Sequence, residues 1–147
     1  MPAFAVTDLS STPAVIPNRS IPPASVIPEL AYADVGEAAD WICRTFGFRE
    51  RLRIGDHRAQ LVFGDGALIV IEREESEAPA SSVLVRVEDA DSHHEWAAQH
   101  GARILRPPTD YPYGERQYTA EDLGGHLWTF SESIADVDPA SWGGSLR

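Results

Sequence analysis

The chain has 147 residues and a formal net charge of −11, from 23 acidic and 12 basic residues. Such an acidic surface repels phosphate backbones and anionic membranes, so neither a nucleic acid nor a membrane is expected as a partner. All 12 basic residues are arginine, which excludes a lysine Schiff base, and a single cysteine excludes an intrachain disulfide and a thiolate zinc cluster.

The first 25 residues contain five prolines among serines and other small residues. This composition is typical of an arm without helix or strand, which is either disordered or placed along a neighbouring subunit. The arm has no basic leader ahead of an apolar stretch, and no apolar run reaches membrane-spanning length. We therefore expect a cytoplasmic protein whose folded domain begins at residue 26.

Residues 26–80 are predicted to form a strand, a helix and three further strands. Asp34 is suited to cap a helix over residues 36–45, where apolar residues recur at spacings of three and four, and Gly47 ends that helix. The turn Gly64-Asp65-Gly66 joins the last two strands, and an acidic linker follows them. The four predicted strands cover residues 26–33, 49–54, 59–63 and 67–72.

Residues 81–133 repeat this order. Asp89 or Asp91 caps a second helix that runs to about His100, and the strands before and after it complete the unit. The predicted strands cover residues 82–87, 103–105, 116–121 and 126–130. The prolines 107–108 end the short second strand, and residues 109–113 form a loop. We therefore predict an α+β fold in which two βαβββ repeats, 26–80 and 81–133, form a half-open barrel around a central cavity, followed by a tail over residues 134–147.

The last hairpin, over residues 113–130, carries a sequence motif. Its matching residues are Gly114, Arg116, Tyr118, Asp122, Gly125 and His126. This pattern resembles the closing hairpin of the vicinal oxygen chelate superfamily, which includes glyoxalase I, extradiol dioxygenases and bleomycin-resistance proteins. Leu123 stands where those proteins usually have proline. The FGF stretch at residues 46–48 and the HGARI stretch at residues 100–104 also lie where the superfamily has them.

The resemblance also implies where a metal would bind. Metal-dependent members hold a divalent ion with four His, Gln or Glu side chains, from the first and last strands of each repeat. Those positions fall on Ile27, Val70, Ser82 and Thr129. Two aliphatic side chains and two hydroxyls are not a ligand set for a divalent cation, so we expect no metal and no other cofactor. A shift of two residues would instead offer Glu29 or Glu72.

Period-2 alternation along four strands predicts the lining of the cavity. The inward residues, with two loop tyrosines as an aromatic lip and an arginine of the hairpin motif, are Ile27, Glu29, Leu68, Val70, Ser82, Leu84, Arg86, Tyr111, Tyr113, Arg116, Leu127 and Thr129. Glu29 lies on an otherwise apolar floor, so it serves either as a general base or amine clamp, or as the ion-pair partner of Arg86.

These features favour a metal-free binding protein, resembling the bleomycin-resistance branch, that sequesters a small hydrophobic or cationic molecule between the repeats. Antibiotic resistance is the role that this branch implies. A homodimer is expected because many relatives build each cavity from two chains. Two alternatives stay open: a glyoxalase-like lyase or isomerase that uses Glu29 as base, and a scaffold with a vestigial cavity.

Overall fold

The computed structural model describes residues 18–74 and 81–146, so predictions for residues 1–17, 75–80 and 147 lie outside it. The first repeat contains β1 (Glu29–Tyr32), α1 (Val35–Phe46), β2 (Arg49–Ile54), β3 (Arg58–Phe63) and β4 (Gly66–Glu72). The second contains β5 (Ser82–Arg86), α2 (Ala90–Gln99), β6 (Arg103–Tyr111), β7 (Glu115–Glu121) and β8 (Leu127–Ser133). A short 3₁₀ turn, Pro139–Trp142, follows in the tail.

Both helices begin at an aspartate. The Asp34 carboxylate accepts a hydrogen bond from the Glu37 N–H, and the Asp89 carboxylate accepts one from the Ser92 N–H. These bonds satisfy backbone donors that the first helical turn leaves free. Asp89, and not Asp91, is therefore the cap of α2. Gly47 ends α1 with a φ of 85°, a left-handed conformation that glycine adopts without strain.

Two strand boundaries differ from the prediction. β1 begins at Glu29 and not at residue 26, because Pro28 has no N–H to donate to a ladder. β6 runs to Tyr111 and passes through the prolines that were expected to end it. It is the edge strand of its sheet, and its register with β7 is irregular between Arg106 and Thr109, which is where strands tolerate proline.

The strands form two four-stranded sheets with the same order, β1-β4-β3-β2 and β5-β8-β7-β6. In each sheet the first strand runs parallel to its neighbour and the other pairs are antiparallel. The predicted α+β class and the paired βαβββ units are thereby confirmed, and the sheets stay open. Each sheet has an inner face, covered by helix, and an outer face on the opposite side.

The inner faces of the two sheets share one core. Phe46, at the end of α1, packs against Trp128 and Phe130 of β8, with ring centroids 4.9 Å away in both pairs. All three side chains are fully buried. The interior between the repeats is thus filled with aromatic side chains, and the space that the repeats leave open lies along one side, at the edge of β5.

The buried carboxylate of Asp122 joins the two repeats. One oxygen accepts hydrogen bonds from the N–H groups of Gly124 and His126, each at 2.9 Å. The other accepts from the Tyr32 hydroxyl of the first repeat and from Trp128 Nε1. Four donors therefore satisfy a charge that is only 6% exposed. Burial and the adjacent carboxylate raise the pKa of Tyr32, so its hydroxyl keeps the proton that it donates.

We predict that Tyr32→Phe lowers the free energy of unfolding by about 2 kcal/mol, because it removes one hydrogen bond to a buried charge. Asp122→Asn should cost about 3 kcal/mol, because the amide turns a donor toward Trp128 Nε1. Urea unfolding measures both. Asp56→Asn, in an exposed turn, is the matched control and should change stability by less than about 0.5 kcal/mol. Equal effects at the two aspartates would contradict the role of Asp122.

Candidate functional site

A groove with a volume of ≈ 1000 Å³ lies between the repeats, along the free edge of β5. Its first wall comes from Phe48, just before β2, and from the β3–β4 hairpin. Its second wall comes from β5 and the beginning of α2. The apolar lining consists of Phe48, Phe63, Ala67, Leu68, Val83, Leu84, Val85 and Val87. Val26 and Pro28, just before β1, complete it.

Charged groups surround this apolar lining. Asp65, Glu88 and Asp89 supply carboxylates and Arg86 supplies one guanidinium. Hydrogen bonds from the Ser92 N–H and hydroxyl lower the pKa of Asp89, so this carboxylate stays ionised. The groove thus combines a hydrophobic surface with a rim of net negative charge, an arrangement suited to an apolar cation.

His93 forms part of the groove wall and links the repeats. Its Nε2 lies 2.9 Å from the carbonyl oxygen of Phe46, which only accepts, so Nε2 carries the proton. Its Nδ1 then accepts from the Tyr118 hydroxyl, and its ring packs on Phe130 at 4.2 Å. Burial lowers the pKa of His93, partly opposed by the Phe46 carbonyl, and keeps this imidazole neutral.

Five of the predicted site residues, on β5 and β8, share a second surface, the outer face of the β5-β8-β7-β6 sheet, and the two predicted tyrosines lie at its far end. Ser82, Leu84 and Arg86 stand opposite Leu127, Thr129 and Ser131 in the parallel register. Leu84 is 63% exposed and Leu127 is 41% exposed. Because Leu84 and Arg86 also line the groove, the two surfaces are continuous around the edge of β5.

The predicted aromatic lip is present at the far end of this outer face. Tyr111 and Tyr113 are stacked with centroids 5.3 Å apart, and Trp142 of the tail meets Tyr113 edge-on at 5.6 Å. The Tyr113 hydroxyl donates to Gln117, at 3.3 Å. The lip lies outside the groove, at the opposite edge of the sheet from β5.

Of the two residues predicted on β4, Leu68 lines the groove and Val70 does not. Val70 is paired with Leu30, and both side chains are buried under α1 on the inner face. Leu68, two residues earlier, has the same orientation and reaches the groove only from within the core. The predicted alternation is one residue out of phase on this strand, and a one-residue shift exchanges the two faces of a strand.

Glu29 lies on the outer face of the first sheet and pairs with Arg58 at 3.2 Å, not with the predicted partner Arg86. The pairing follows from topology: Glu29 and Arg58 belong to one sheet, whereas Arg86 belongs to the other. Ile27 precedes β1 and, like Glu29, does not line the groove. The expected general-base role of Glu29 stays a prediction.

Arg116 lies on the inner side of β7 and is held by two carboxylates. It makes two bonds to Asp110, at 2.6 and 3.1 Å, and a third to Asp91 of α2 at 3.2 Å. The Arg116 guanidinium is thus bound to a carboxylate of β6 and to a carboxylate of α2. The motif arginine therefore lies away from the groove and from the outer face.

The positions implied for a metal do not fit one. Val70 is in the core, Ile27 is aliphatic, and the Thr129 hydroxyl bonds the Thr119 hydroxyl at 3.3 Å. Within residues 18–74 and 81–146, no three His, Cys, Asp or Glu side chains converge in a way that could hold a cation. No helix among these residues is long and apolar enough to cross a membrane.

The predicted lining came from four strands only, so it lacks the residues that the α1–β2 connection, β3, β7 and α2 contribute. Phe48, Phe63 and His93 line the groove from elements not considered. Glu115 and Gln117, on the outer face, continue a chain of hydrogen bonds through Ser131. The alternation of β7, with Tyr118 and Ala120 buried, would have revealed its outward side chains.

Paired βαβββ units with open sheets define a fold class that solved structures share. The first is TioX from Micromonospora sp. ML1, 39% identical over 74% of this chain and 97% of that one, with a TM-score of 0.65. The second is the bleomycin-binding protein of Streptomyces verticillus with copper(II)-bleomycin, 23% identical over 73% and 93%, with a TM-score of 0.60. No curated protein matches the chain.

The family follows from the sequence match. The model of the Glyoxalase/Bleomycin resistance protein/Dioxygenase superfamily matches residues 26–130. That span covers most of the chain and both repeats. The chain therefore belongs to this superfamily, as its closing hairpin indicated.

We predict that acidification destabilises the protein through His93. Its folded pKa lies below the unfolded value of about 6.5, so the unfolded state binds more protons as pH falls below that value. The contribution of His93 to stability should be constant above about pH 7 and should fall as the pH drops below about 6.5, by at most 1.4 kcal/mol per pH unit. Urea unfolding at a series of pH values measures the slope.

His93→Gln, which can still donate to the Phe46 carbonyl, should flatten that slope. His94→Gln is the matched control, because it makes the same substitution at the adjacent histidine of α2 and should leave the slope that His93 causes in place. A slope unchanged by His93→Gln would show that other groups cause the acid sensitivity.

Proposed function

We propose that this protein binds a small hydrophobic or cationic molecule in the groove between its repeats. The observation that carries the proposal is the groove itself, ≈ 1000 Å³ in volume, lined by aromatic and aliphatic side chains and bordered by carboxylates. Ligand pockets typically measure roughly 300–1,000 Å³ and combine an apolar lining with a few polar groups. The groove has that composition.

Affinity would come mainly from removing apolar surface from water, at about 25 cal/mol per Å². The rings of Phe48 and Phe63 are tilted by 43° with centroids 5.0 Å apart, and both line the groove, where they would offer apolar surface to a flat ligand. Selectivity for positive charge would come from Asp65 and Glu88, reinforced by the net charge of −11. Sequestration needs no chemical step, and the ligand would leave unchanged.

Membership of the superfamily supports the same class of function, because the related Streptomyces verticillus protein is a bleomycin-binding protein. By analogy the role would be protection of the cell against a toxic small molecule. The likeness to that protein supports a shared fold. The proposed class of ligand is inferred from the chemistry of the groove in this chain.

A homodimer is part of the proposal. The outer face of the second sheet exposes Leu84 and Leu127 beside the groove, and burial of these side chains against a second copy would remove apolar surface from water. Sedimentation velocity tests this directly. A Leu84→Arg/Leu127→Arg variant should sediment as a monomer if the face is the interface.

We predict that proflavine, a flat cation, quenches tryptophan fluorescence with saturation. Trp128 is the reporter, because its ring lies 5.6 Å from Phe48 of the groove. Asp65→Asn/Glu88→Gln should weaken binding about three- to fivefold at low salt, and added salt should shrink the difference. A neutral or anionic aromatic of the same size should bind more weakly than proflavine.

The matched control is Asp56→Asn/Glu74→Gln, which removes the same charge at exposed positions outside the groove. It should leave the proflavine affinity unchanged within about a factor of 1.5, because distant surface charges are screened. Flat titrations with every cation tried, or equal losses in both double variants, would refute the proposed site.

Metal-free binding is tested by elemental analysis of protein purified without chelators. We expect far less than one equivalent of zinc, nickel, iron or manganese, because the implied ligand positions carry Ile27, Val70, Ser82 and Thr129. A stoichiometric metal would overturn the metal-free part of the proposal and would favour a metal-dependent lyase or isomerase.

A further inference from the structure

A serine and a histidine outside the groove are hydrogen-bonded where the two repeats meet. The hydroxyl of Ser81, just before β5, lies 2.8 Å from Nδ1 of His126, which precedes β8. The other ring nitrogen of His126, Nε2, lies 2.7 Å from the main-chain carbonyl oxygen of Ala31 in β1. A carbonyl oxygen only accepts, so Nε2 carries the proton. The Nδ1 atom therefore accepts the hydrogen bond that the Ser81 hydroxyl donates.

The imidazole is held in this orientation by its surroundings. His126 is only 2% exposed, and its ring meets the ring of Tyr32 edge-on with centroids 4.7 Å apart. Its main-chain N–H donates to the buried carboxylate of Asp122, which places a negative charge beside this residue. That charge favours the imidazolium that forms when the ring takes the serine proton. A base that is oriented by a third group and bonded to a hydroxyl is the arrangement that activates a serine nucleophile.

Ser81 is partly exposed, and the next residue supplies a further donor. Ser81 is not among the residues that line the groove, so this pair is separate from the proposed binding site. Its carbonyl accepts from the Leu127 N–H of β8, so the N–H of Ser82 points by alternation to the free edge of β5. No strand within the described part of the chain pairs with that edge. In α/β-hydrolases the N–H of the residue after the nucleophilic serine binds the oxyanion.

We propose that Ser81 is a nucleophile, activated by His126, that accepts the acyl group of small aryl esters. Ser81 Oγ attacks the ester carbonyl carbon while its proton moves to His126 Nδ1. The bond from that carbon to the phenol oxygen then breaks, and the proton passes from Nδ1 to the departing phenolate. Water next attacks the acyl group on Ser81, with one proton taken by Nδ1 and returned to Ser81 Oγ, and the carboxylic acid leaves. We expect small acyl groups, because Ser81 is only partly exposed.

The composition of the chain simplifies the test. All 12 basic residues are arginine, so no lysine amine competes for the acyl group, and Cys43→Ser removes the only thiol. The full-length Cys43→Ser protein, used as the parent, should release 4-nitrophenol from 4-nitrophenyl acetate faster than buffer does. Phenylmethanesulfonyl fluoride, from which Ser81 Oγ displaces fluoride, should leave a stable adduct. Mass spectrometry should locate that adduct on Ser81 within the tryptic peptide 74–86.

Three variants in the same background separate the nucleophile from its surroundings. Ser81→Ala should lower the release of 4-nitrophenol about a hundredfold and abolish the adduct. Ser82→Ala makes the same change at the exposed neighbouring serine and should leave both readouts at the parent level. His126→Gln should cost about as much as the loss of Ser81, because the two side chains act as a unit. Circular dichroism must show each variant folded, and His126→Asn replaces a His126→Gln variant that proves unfolded.

An adduct that is absent from Ser81 in the folded parent, or undiminished in the His126 variant, would overturn the proposal. So would a Ser81→Ala variant that is less stable but keeps the parent rate, because the hydrogen bond would then be only structural. None of these outcomes bears on the proflavine titrations of the groove, so ligand binding and acyl transfer are tested separately.

Discussion

The buried carboxylate of Asp122 is the constraint on which the arrangement of the two repeats depends. It sits at the turn between the last two strands, and it receives a hydroxyl from the first repeat and an indole N–H from the second. A charge removed from water is stable only while all its donors stay in place, so the turn, β1 and β8 must keep their relative positions. A Cβ at Gly124 would come within 2.5 Å of the Tyr32 ring, which explains why this turn needs glycine where the repeats meet.

That arrangement positions the groove. Because the inner faces meet through Phe46, Trp128 and Phe130, the repeats have no room for a ligand between their helices, and the free edge of β5 borders the remaining space. His93 belongs to both the core and the groove. Its ring packs against Phe130 in the core, and the residue also lines the groove. Asp65, Glu88 and Asp89 place carboxylates at the rim of that groove.

Much of the fold was predictable from local signals. Helix caps at Asp34 and Asp89, the glycine stops and the period-2 strands each depend on a few adjacent residues, and repetition of the same order identified the paired units. The site was less predictable, because it depends on which face of each strand meets a helix. One phase error moved Val70 from core to cavity, and the partner of Glu29 depended on which strands share a sheet. Long-range contacts such as that of Gln60 with Ser20 leave no local pattern at all.

The shared aromatic core has a consequence for how the two halves could have arisen and how they unfold. A chain that contained only one βαβββ unit would present Phe46, or Trp128 and Phe130, to water with no counterpart to cover them. The halves are thus copies in architecture but are not modules that can be separated. Denaturation should disrupt both together in one cooperative transition, and an ancestor with a single copy would have needed to assemble as a pair of identical chains.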